Sequence, residues 1–314
     1  MFVWLFTSCS VMRECPVETL QPAQISFDSL RRSIAVYAPS GLFDLSVSSN
    51  EGTAAIAADS LVYNLLYSVK SYLEQSPGFQ KTRVEVFLAD HPTEIPVACD
   101  WYIGFSHLEL HNSTYARPHV FFPSWTVYLQ VRSAIVCSVG RDEQVLHSFE
   151  KHDLLEWSAT IGAGDDPALY LPSVADAWWD TGIAIARACT DHIAPHWQEE
   201  WRPVFMISRF PDDSALAYTA MKDGNYARAY EMWDEMLISC RKRGQKRMKS
   251  RILHNMAVTL EMQDRIEDAV QQVRQSIRYS SLPENREYLR LLLQRLSQKT
   301  ELDKQIQISF HSSL

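Results

Sequence analysis

Gly224-Asn-Tyr-Ala-Arg-Ala-Tyr-Glu-Met-Trp233 and Asp264-Arg-Ile-Glu-Asp-Ala-Val-Gln-Gln-Val273 are two versions of one pattern, set forty residues apart. With Ala217 and Ala257 ahead of them at the same offset, they align small on small (Ala217 with Ala257), turn on turn (Gly224 with Asp264), small on small (Ala229 with Ala269) and bulky on bulky (Trp233 with Val273). A stacked helix–turn–helix repeat requires this order, because two helices approach closely only where their facing residues are small. Helices are expected near 213–222 and 226–242, then near 246–262 and 265–279. An amphipathic segment near 284–306, with Leu289, Leu292, Leu293 and Leu296 among many charges, reads as a solubilising cap. Repeats of this kind serve binding rather than catalysis.

Upstream, the periodicity changes. Ile34-Ala-Val-Tyr-Ala38 and Val84-Glu-Val-Phe-Leu88 are short apolar runs that read as strands. Between them Ala57, Leu61, Leu65 and Val69 recur at helical spacing, with Thr53 as a cap and Pro77-Gly78 as a stop. From Trp125 to Val139 the odd positions are mostly apolar and the even ones mostly polar, which predicts a half-buried strand or a bent strand pair. Gly140-Arg-Asp-Glu is a hairpin turn into further strand character from Val145 to Trp157. Ala175, Trp179, Gly182, Ala186, Cys189 and Ile193 then share one helical face, and the small Gly182 and Ala186 allow close approach to a sheet. Pro195 ends that helix, and Trp197, Trp201 and Pro203 lead on to the repeats.

The ends and the composition set the address. Met1-Phe-Val-Trp-Leu-Phe-Thr-Ser8 is apolar and then small, and Phe6-Thr7-Ser8-Cys9 is patterned as a lipobox. The apolar stretch is short and no Lys or Arg precedes it, as a start codon placed too far downstream would leave it. Acylation of Cys9 would anchor the chain, stably if two acyl chains are attached. Residues from 10 to about 25, with Pro16 and Pro22 among polar side chains, read as a tether. A net charge of −8 argues against nucleic-acid binding. There is no apolar run of about twenty residues, so no transmembrane helix is expected. Cys15, Cys99, Cys137, Cys189 and Cys240 form no CxxC pair, which excludes zinc ribbons and thioredoxin-like motifs.

Gly224 to Trp233, with Asn255-Met-Ala257 and Asp268-Ala269, resembles a divergent tetratricopeptide pair. Together with Gln21-Pro-Ala-Gln-Ile25, Ile34-Ala-Val36 and Ala186…Pro195-His-Trp197…Arg202, nearly the whole chain resembles an uncharacterised lipoprotein family of the Bacteroidetes defined as a domain of unknown function. The resemblance implies a lipid-anchored envelope protein with an α/β domain ahead of the repeats, and it implies no activity. The offset of forty exceeds the usual tetratricopeptide spacing of about thirty-four, and the extra length falls in 241–251. Asp264 stands where glycine is usual, although Asp tolerates that turn.

Candidate sites divide between the two regions. In the repeats, Ser214, Tyr218, Met221 and Lys222, with Arg251, His254, Val258 and Glu261, are assigned to a concave face; Tyr218, Lys222, Arg251, His254 and Glu261 form the candidate partner-binding groove. The alternative is that two repeats only pack on the α/β domain. His107, Glu109 and His111 alternate along a strand and so share one face; they are the candidate metal ligands, with His91 and His119 nearby, against the alternative of a solvent-facing strand backed by Leu108 and Leu110. His192 and His196 lack the Glu and the unbroken helix of a metalloprotease and are assigned to helix capping. Gly162-Ala-Gly164 lacks a dinucleotide fingerprint, and neither a nucleophile elbow nor a P-loop occurs. The basic run Arg241–Lys249 reads as a solvated connection, with anionic headgroups or an acidic partner as the alternative.

The expected fold is α+β. Residues 1–8 are a remnant signal peptide, 9–25 a tether, 26–209 a mixed α/β sheet domain, 210–282 an all-α tetratricopeptide-like repeat domain, and 283–314 a capping helix and tail. The expected function is that of a non-enzymatic, lipid-anchored scaffold of the bacterial envelope, at the outer membrane, which needs no cofactor and contacts other envelope proteins through its repeats. The alternatives are a metal-dependent enzyme or hydrolase in the α/β domain, or a structural subunit of an envelope assembly.

Overall fold

The computed structural model describes residues 11–25, 27, 33–39, 42, 51–89, 99–141, 144–240 and 245–310. Its elements run β1 (Met12–Gln21), β2 (Ser33–Pro39), α1 (Glu51–Gln75), β3 (Arg83–Ala89), β4 (Trp101–Pro118), β5 (Ser124–Arg141), β6 (Gln144–Gly162), a short 3₁₀ turn (Pro167–Leu169), α2 (Val174–Ile193), β7 (His196–Phe205), α3 (Pro211–Lys222), α4 (Tyr226–Ser239), α5 (Lys246–Glu261), α6 (Ile266–Tyr279) and α7 (Pro283–Phe310). The protein is α+β, with its sheets mainly in the first half and α3 to α7 in the second. Two units form, one drawn from Ala23–His196 and Lys304–Leu314, the other from Met1–Pro22 and Trp197–Asp303.

The sheet unit is five-stranded in the order β3-β2-β4-β5-β6. Strand β2 runs parallel to both β3 and β4, while β4, β5 and β6 form an antiparallel ribbon. As a strand interior to the sheet, β2 is buried on both faces: Ile34, Val36 and Ala38 face the main core, while Ala35 and Tyr37 meet Tyr102 on the other side. The rings on that second face lie over glycines, and a β-carbon on Gly104 would fall 2.6 Å from the Tyr37 ring. On β5 the odd positions from Val127 to Val139 are all buried, as period two demands; it is one long strand paired on both sides. Helices α1 and α2 supply the rest of the core, with Leu61, Leu65, Leu66 and Val69 beside Ala177, Ile185, Ala186 and Cys189. Gly182 serves a helix contact rather than the expected sheet contact, since a β-carbon there would lie 3.3 Å from the Leu61 carbonyl of α1.

The expected tether is a strand. β1 pairs with β7 in a two-stranded sheet, and Cys15, Val17 and Thr19 point inward. Pro16 and Pro22 suggested an unpaired chain, but proline is tolerated in edge strands, and a two-stranded ribbon consists only of edges. The Trp197–Pro203 connection is likewise part of β7. Residues 197–209, which the sequence reading assigned to the α/β domain, belong to the helical unit.

In that unit α3 and α4 form one helical hairpin and α5 and α6 a second, and α4 packs on α5. The forty-residue correspondence extends to the backbone. Gly224 and Asp264 both have positive φ, 76° and 56°. Asn225 N–H donates to the Ala220 carbonyl and Arg265 N–H to the Leu260 carbonyl. Ala217, Ala257, Ala229, Ala269, Trp233 and Val273 are each fully buried.

Candidate functional site

The residues assigned to a groove are mostly interior. On α5 every residue from Ile252 to Glu261 is buried. His254 and Val258 are 0% exposed and Glu261 is 2% exposed, and on α3 Ser214 and Met221 are buried as well. The face assigned to a partner is covered by the chain's own β1 and β7. The Tyr218 hydroxyl donates to the Glu14 carbonyl of β1 (2.7 Å), and the Arg13 guanidinium sits over the Tyr218 ring at 5.3 Å. From β7, Phe205 N–H donates to Asn255 Oδ1 (2.9 Å) and Asn255 Nδ2 donates to the Phe205 carbonyl (2.8 Å), so the side chain of Asn255 substitutes for a neighbouring strand. Arg251 is half-buried, with its guanidinium 5.5 Å from the centre of the Phe205 ring. Of the five groove candidates Lys222 alone is exposed.

These interior polar groups form a network that was not anticipated from sequence. Glu261 Oε1 accepts from Arg202 Nη2 (2.9 Å) and Arg295 Nη1 (2.6 Å). Its Oε2 accepts from Arg202 Nε (3.0 Å) and the Tyr288 hydroxyl (2.7 Å). Burial alone would raise the Glu261 pKa, but Arg202, Arg295 and Tyr288 outweigh it and hold the carboxyl below the usual range. Burial and the Glu261 charge push Tyr288 far above the ordinary phenol range. Two turns earlier His254 Nε2 donates to the Pro203 carbonyl (2.9 Å), and its Nδ1 lies 2.9 Å from the Asn285 side-chain amide. Burial lowers the His254 pKa against the opposing pull of Pro203, Asn285, Glu284 and Glu261. Asn285 Nδ2 also donates to Ser250 Oγ (2.8 Å) and Ser276 Oγ (2.6 Å). The network joins β7, α5, α6 and α7 through hydrogen bonds that satisfy buried charge and polarity, so its chemistry is that of a structural clamp. Its trace in the sequence was polar residues in core phase: His254, Asn255 and Glu261 beside Ala257 and Val258, and Arg202 two places from Val204.

In the sheet unit, the structure does bring His107, Glu109 and His111 onto one exposed face, with Leu108 and Leu110 buried behind them. His107 Nε2 lies 2.8 Å from Glu109 Oε1, and His111 Nε2 lies 4.0 Å from Glu109 Oε2. Among the described residues no group of three or more His, Cys, Asp or Glu side chains is arranged to hold a metal ion. His107 sits at a β-bulge with φ 57°, where the pairing of β4 with β5 shifts between Ser106 and Leu108. The extra residue lets Phe105 and Leu108 face the same core. His119 lies further on, with Nε2 2.8 Å from Thr126 Oγ1.

The expected capping by His192 takes another form. Burial, reinforced by Lys151 and His147, lowers its pKa, and its ring packs on Phe149 at 4.0 Å. His196 Nδ1 lies 3.3 Å from the carbonyl of Ala194, the C-cap of α2. Cys9, His91 and residues 241–244 of the basic run lie outside the described residues. Among the described residues no helix is long and apolar enough to cross a membrane.

The outward surface of the helical unit carries a different feature. Along β7, Arg202 and Val204 point inward, while Trp197 and Trp201 point outward and are each 55% exposed. Four residues apart on one strand, they share a face about 13 Å along its length.

Residues 215–297, from α3 into α7, match a family model described as a domain of unknown function (DUF6340). No curated protein matches the chain. Among solved structures, a neuraminyllactose-binding hemagglutinin homolog from Helicobacter pylori is 11% identical with a TM-score of 0.33, covering 55% of this chain and 86% of its own. A minor lipoprotein from Acinetobacter baumannii is 9% identical with a TM-score of 0.23, covering 52% of this chain and 96% of its own.

Proposed function

We propose that this chain is a non-enzymatic, lipid-anchored protein of the bacterial envelope, at the outer membrane, that works by binding other envelope proteins through its helical unit, a tetratricopeptide-like pair closed by β1 and β7. The observation that carries the binding surface is the outward pair Trp197 and Trp201 on β7. Large amphipathic rings on a rigid strand are typical binding anchors, since they bury much area for little lost side-chain freedom. The polar side chains of α5 contribute instead to the interior network, so the partner face moves from the groove to the outer face of the β1–β7 ribbon. The anchor is Cys9 in Phe6-Thr-Ser-Cys9.

The test is affinity capture from membranes with the anchored chain as bait, compared with a Trp197→Ala/Trp201→Ala variant. The variant is expected to lose its specific partners while keeping the parent's circular dichroism and melting temperature, because both rings lie on the surface. Undiminished capture would remove the ribbon from the binding surface. For the anchor, fatty-acid labelling of the chain expressed with its upstream codons is expected to vanish in Cys9→Ala.

A further inference from the structure

We infer that the β4–β5 hairpin tip inserts into the surface of a lipid bilayer, as a membrane contact separate from the acyl anchor. The connection His119-Val-Phe-Phe-Pro123 joins the two strands, closed by His119 N–H to the Ser124 carbonyl (3.0 Å) and Ser124 N–H to the Phe122 carbonyl (2.8 Å). Val120 and Phe121 are each 88% exposed and Phe122 is 70% exposed. Three successive large apolar side chains at the apex of a hairpin, followed by a proline, leave no polar side chain at the tip. Exposed apolar clusters of this kind mark surfaces that are covered in use.

The order of residues behind the apex says what covers it. First come Trp125, 43% exposed, and the exposed His119 and Arg117. Next come Tyr115 and Tyr128, paired across the strands and stacked at 4.7 Å, with the Arg117 guanidinium 5.4 Å from each ring centre. Apolar tip, then tryptophan and cation, then tyrosine reproduces the depth profile of a bilayer surface, where amphipathic rings and cations occupy the headgroup layer above the hydrocarbon. At about 3.3 Å per strand residue the tryptophan and cations lie roughly 7–13 Å behind Phe121 and the tyrosines roughly 20–23 Å behind it, so this ring-and-cation collar adjoins an apolar tip buried about 5–10 Å. A protein pocket would not require the tip and its collar to be graded in this way.

Charge sets the kind of lipid. Two acids, Asp165 and Asp166, follow β6, whose Gly162 pairs with Ser124 beside the hairpin connection. Asp165 accepts Gly162 N–H (2.8 Å), and Asp166 accepts Ala168 N–H (3.0 Å). The apex itself, Val120 to Pro123, carries no charge, so insertion is driven by apolar burial, and a zwitterionic surface is sufficient.

The experiment uses the full chain carrying Cys9→Ala, which removes any acyl contribution, with phosphatidylcholine vesicles in a flotation assay. The chain is expected to float with the vesicles to the same extent at roughly 0.1 and 0.5 M salt. Phe121→Ser/Phe122→Ser is expected to lower the bound fraction at least about tenfold, because two buried aromatic side chains are lost. Both sites are on the surface, so unchanged circular dichroism checks the fold, and a Phe121→Glu variant provides a second reading with a single change. Trp197→Ala/Trp201→Ala should float like the parent, which separates this contact from the protein-binding surface proposed above. The inference is overturned if the parent does not float, if the serine variant floats equally, or if binding requires anionic lipid and fails at the higher salt. Loss of a captured protein by the serine variant without any vesicle binding would also overturn it, in favour of a protein socket.

Discussion

Asp264 holds a left-handed backbone conformation (φ 56°) at the position where the first hairpin has Gly224 (φ 76°). An L-residue pays about 1–2 kcal/mol for this conformation, and Asp reduces the cost through local hydrogen bonding of its short side chain. Here it also receives Lys299 Nζ at 3.0 Å, an exposed pair of small worth. Asp264→Ala is therefore expected to destabilise the helical unit by about 1 kcal/mol, while Asp264→Gly stays within about 0.5 kcal/mol of the parent. Urea unfolding followed by circular dichroism measures both, and an alanine variant as stable as the parent would remove the argument. This turn was legible from sequence because its chemistry is local. The partners of Glu261 were not, since Arg202 and Arg295 lie 59 and 34 residues away and no spacing rule connects them. Helical phase alone puts His254 and Glu261 on a free face; β7 and α7 cover that face of α5, and periodicity within one helix does not register them.

At the scale of elements, the hairpins depend on small residues at their crossings. Ala229 on α4 and Ala269 on α6 are fully buried among Ala217, Trp233, Ala257 and Val273. Enlarging either forces helices apart or side chains off their rotamers, at about 1–3 kcal/mol. Ala229→Leu and Ala269→Leu are each expected to lower the unfolding midpoint by that amount, whereas Leu216→Ala, at a position 59% exposed on α3, should leave it almost unchanged. Parent-like melting of both leucine variants would contradict the packing. The same elements show why helices were read closely and β1 was not. A helix such as α4 declares itself over fourteen residues by spacing and caps. β1 shows only Cys15, Val17 and Thr19 alternating with Glu14, Pro16 and Glu18, a pattern that acquires meaning through a strand 179 residues downstream. The bulge at His107 is marked in sequence by two successive polar residues, Ser106 and His107, and its role in returning Leu108 to the core emerges only from the register with β5.

Across the whole molecule, stability is tied to pH through groups that folding buries. His254 and His192 have folded pKa values below their ordinary 6.5, and Glu261 lies below its ordinary 4.5. For each the unfolded chain takes up its proton first. Their contributions are thus fully present above the unfolded value and are lost as pH falls through the folded one. Asp191 works in the opposite sense: burial raises its pKa despite His196, so its contribution is present at low pH and is lost as pH rises through the raised value. Arg202 and Tyr288 are pushed upward and hold their contributions through neutral pH. Stability is accordingly expected to fall in two stages on acidification, first below about pH 6.5 through the histidines and again below about pH 4.5 through Glu261, partly offset by Asp191. The fully buried His254 alone can contribute a slope of up to about 1.4 kcal/mol per pH unit in the first stage. His254→Asn keeps a hydrogen-bond donor near the Pro203 carbonyl but has nothing to titrate. Its melting temperature should be lower than the parent's at about pH 8, yet should change less between about pH 7 and about pH 5, with a further flattening when His192→Asn is added. Calorimetric melts across that range decide the matter. A parent with a level melting temperature over this interval, or a double variant that retains the parent's slope, would mean that the buried histidines do not couple folding to protons.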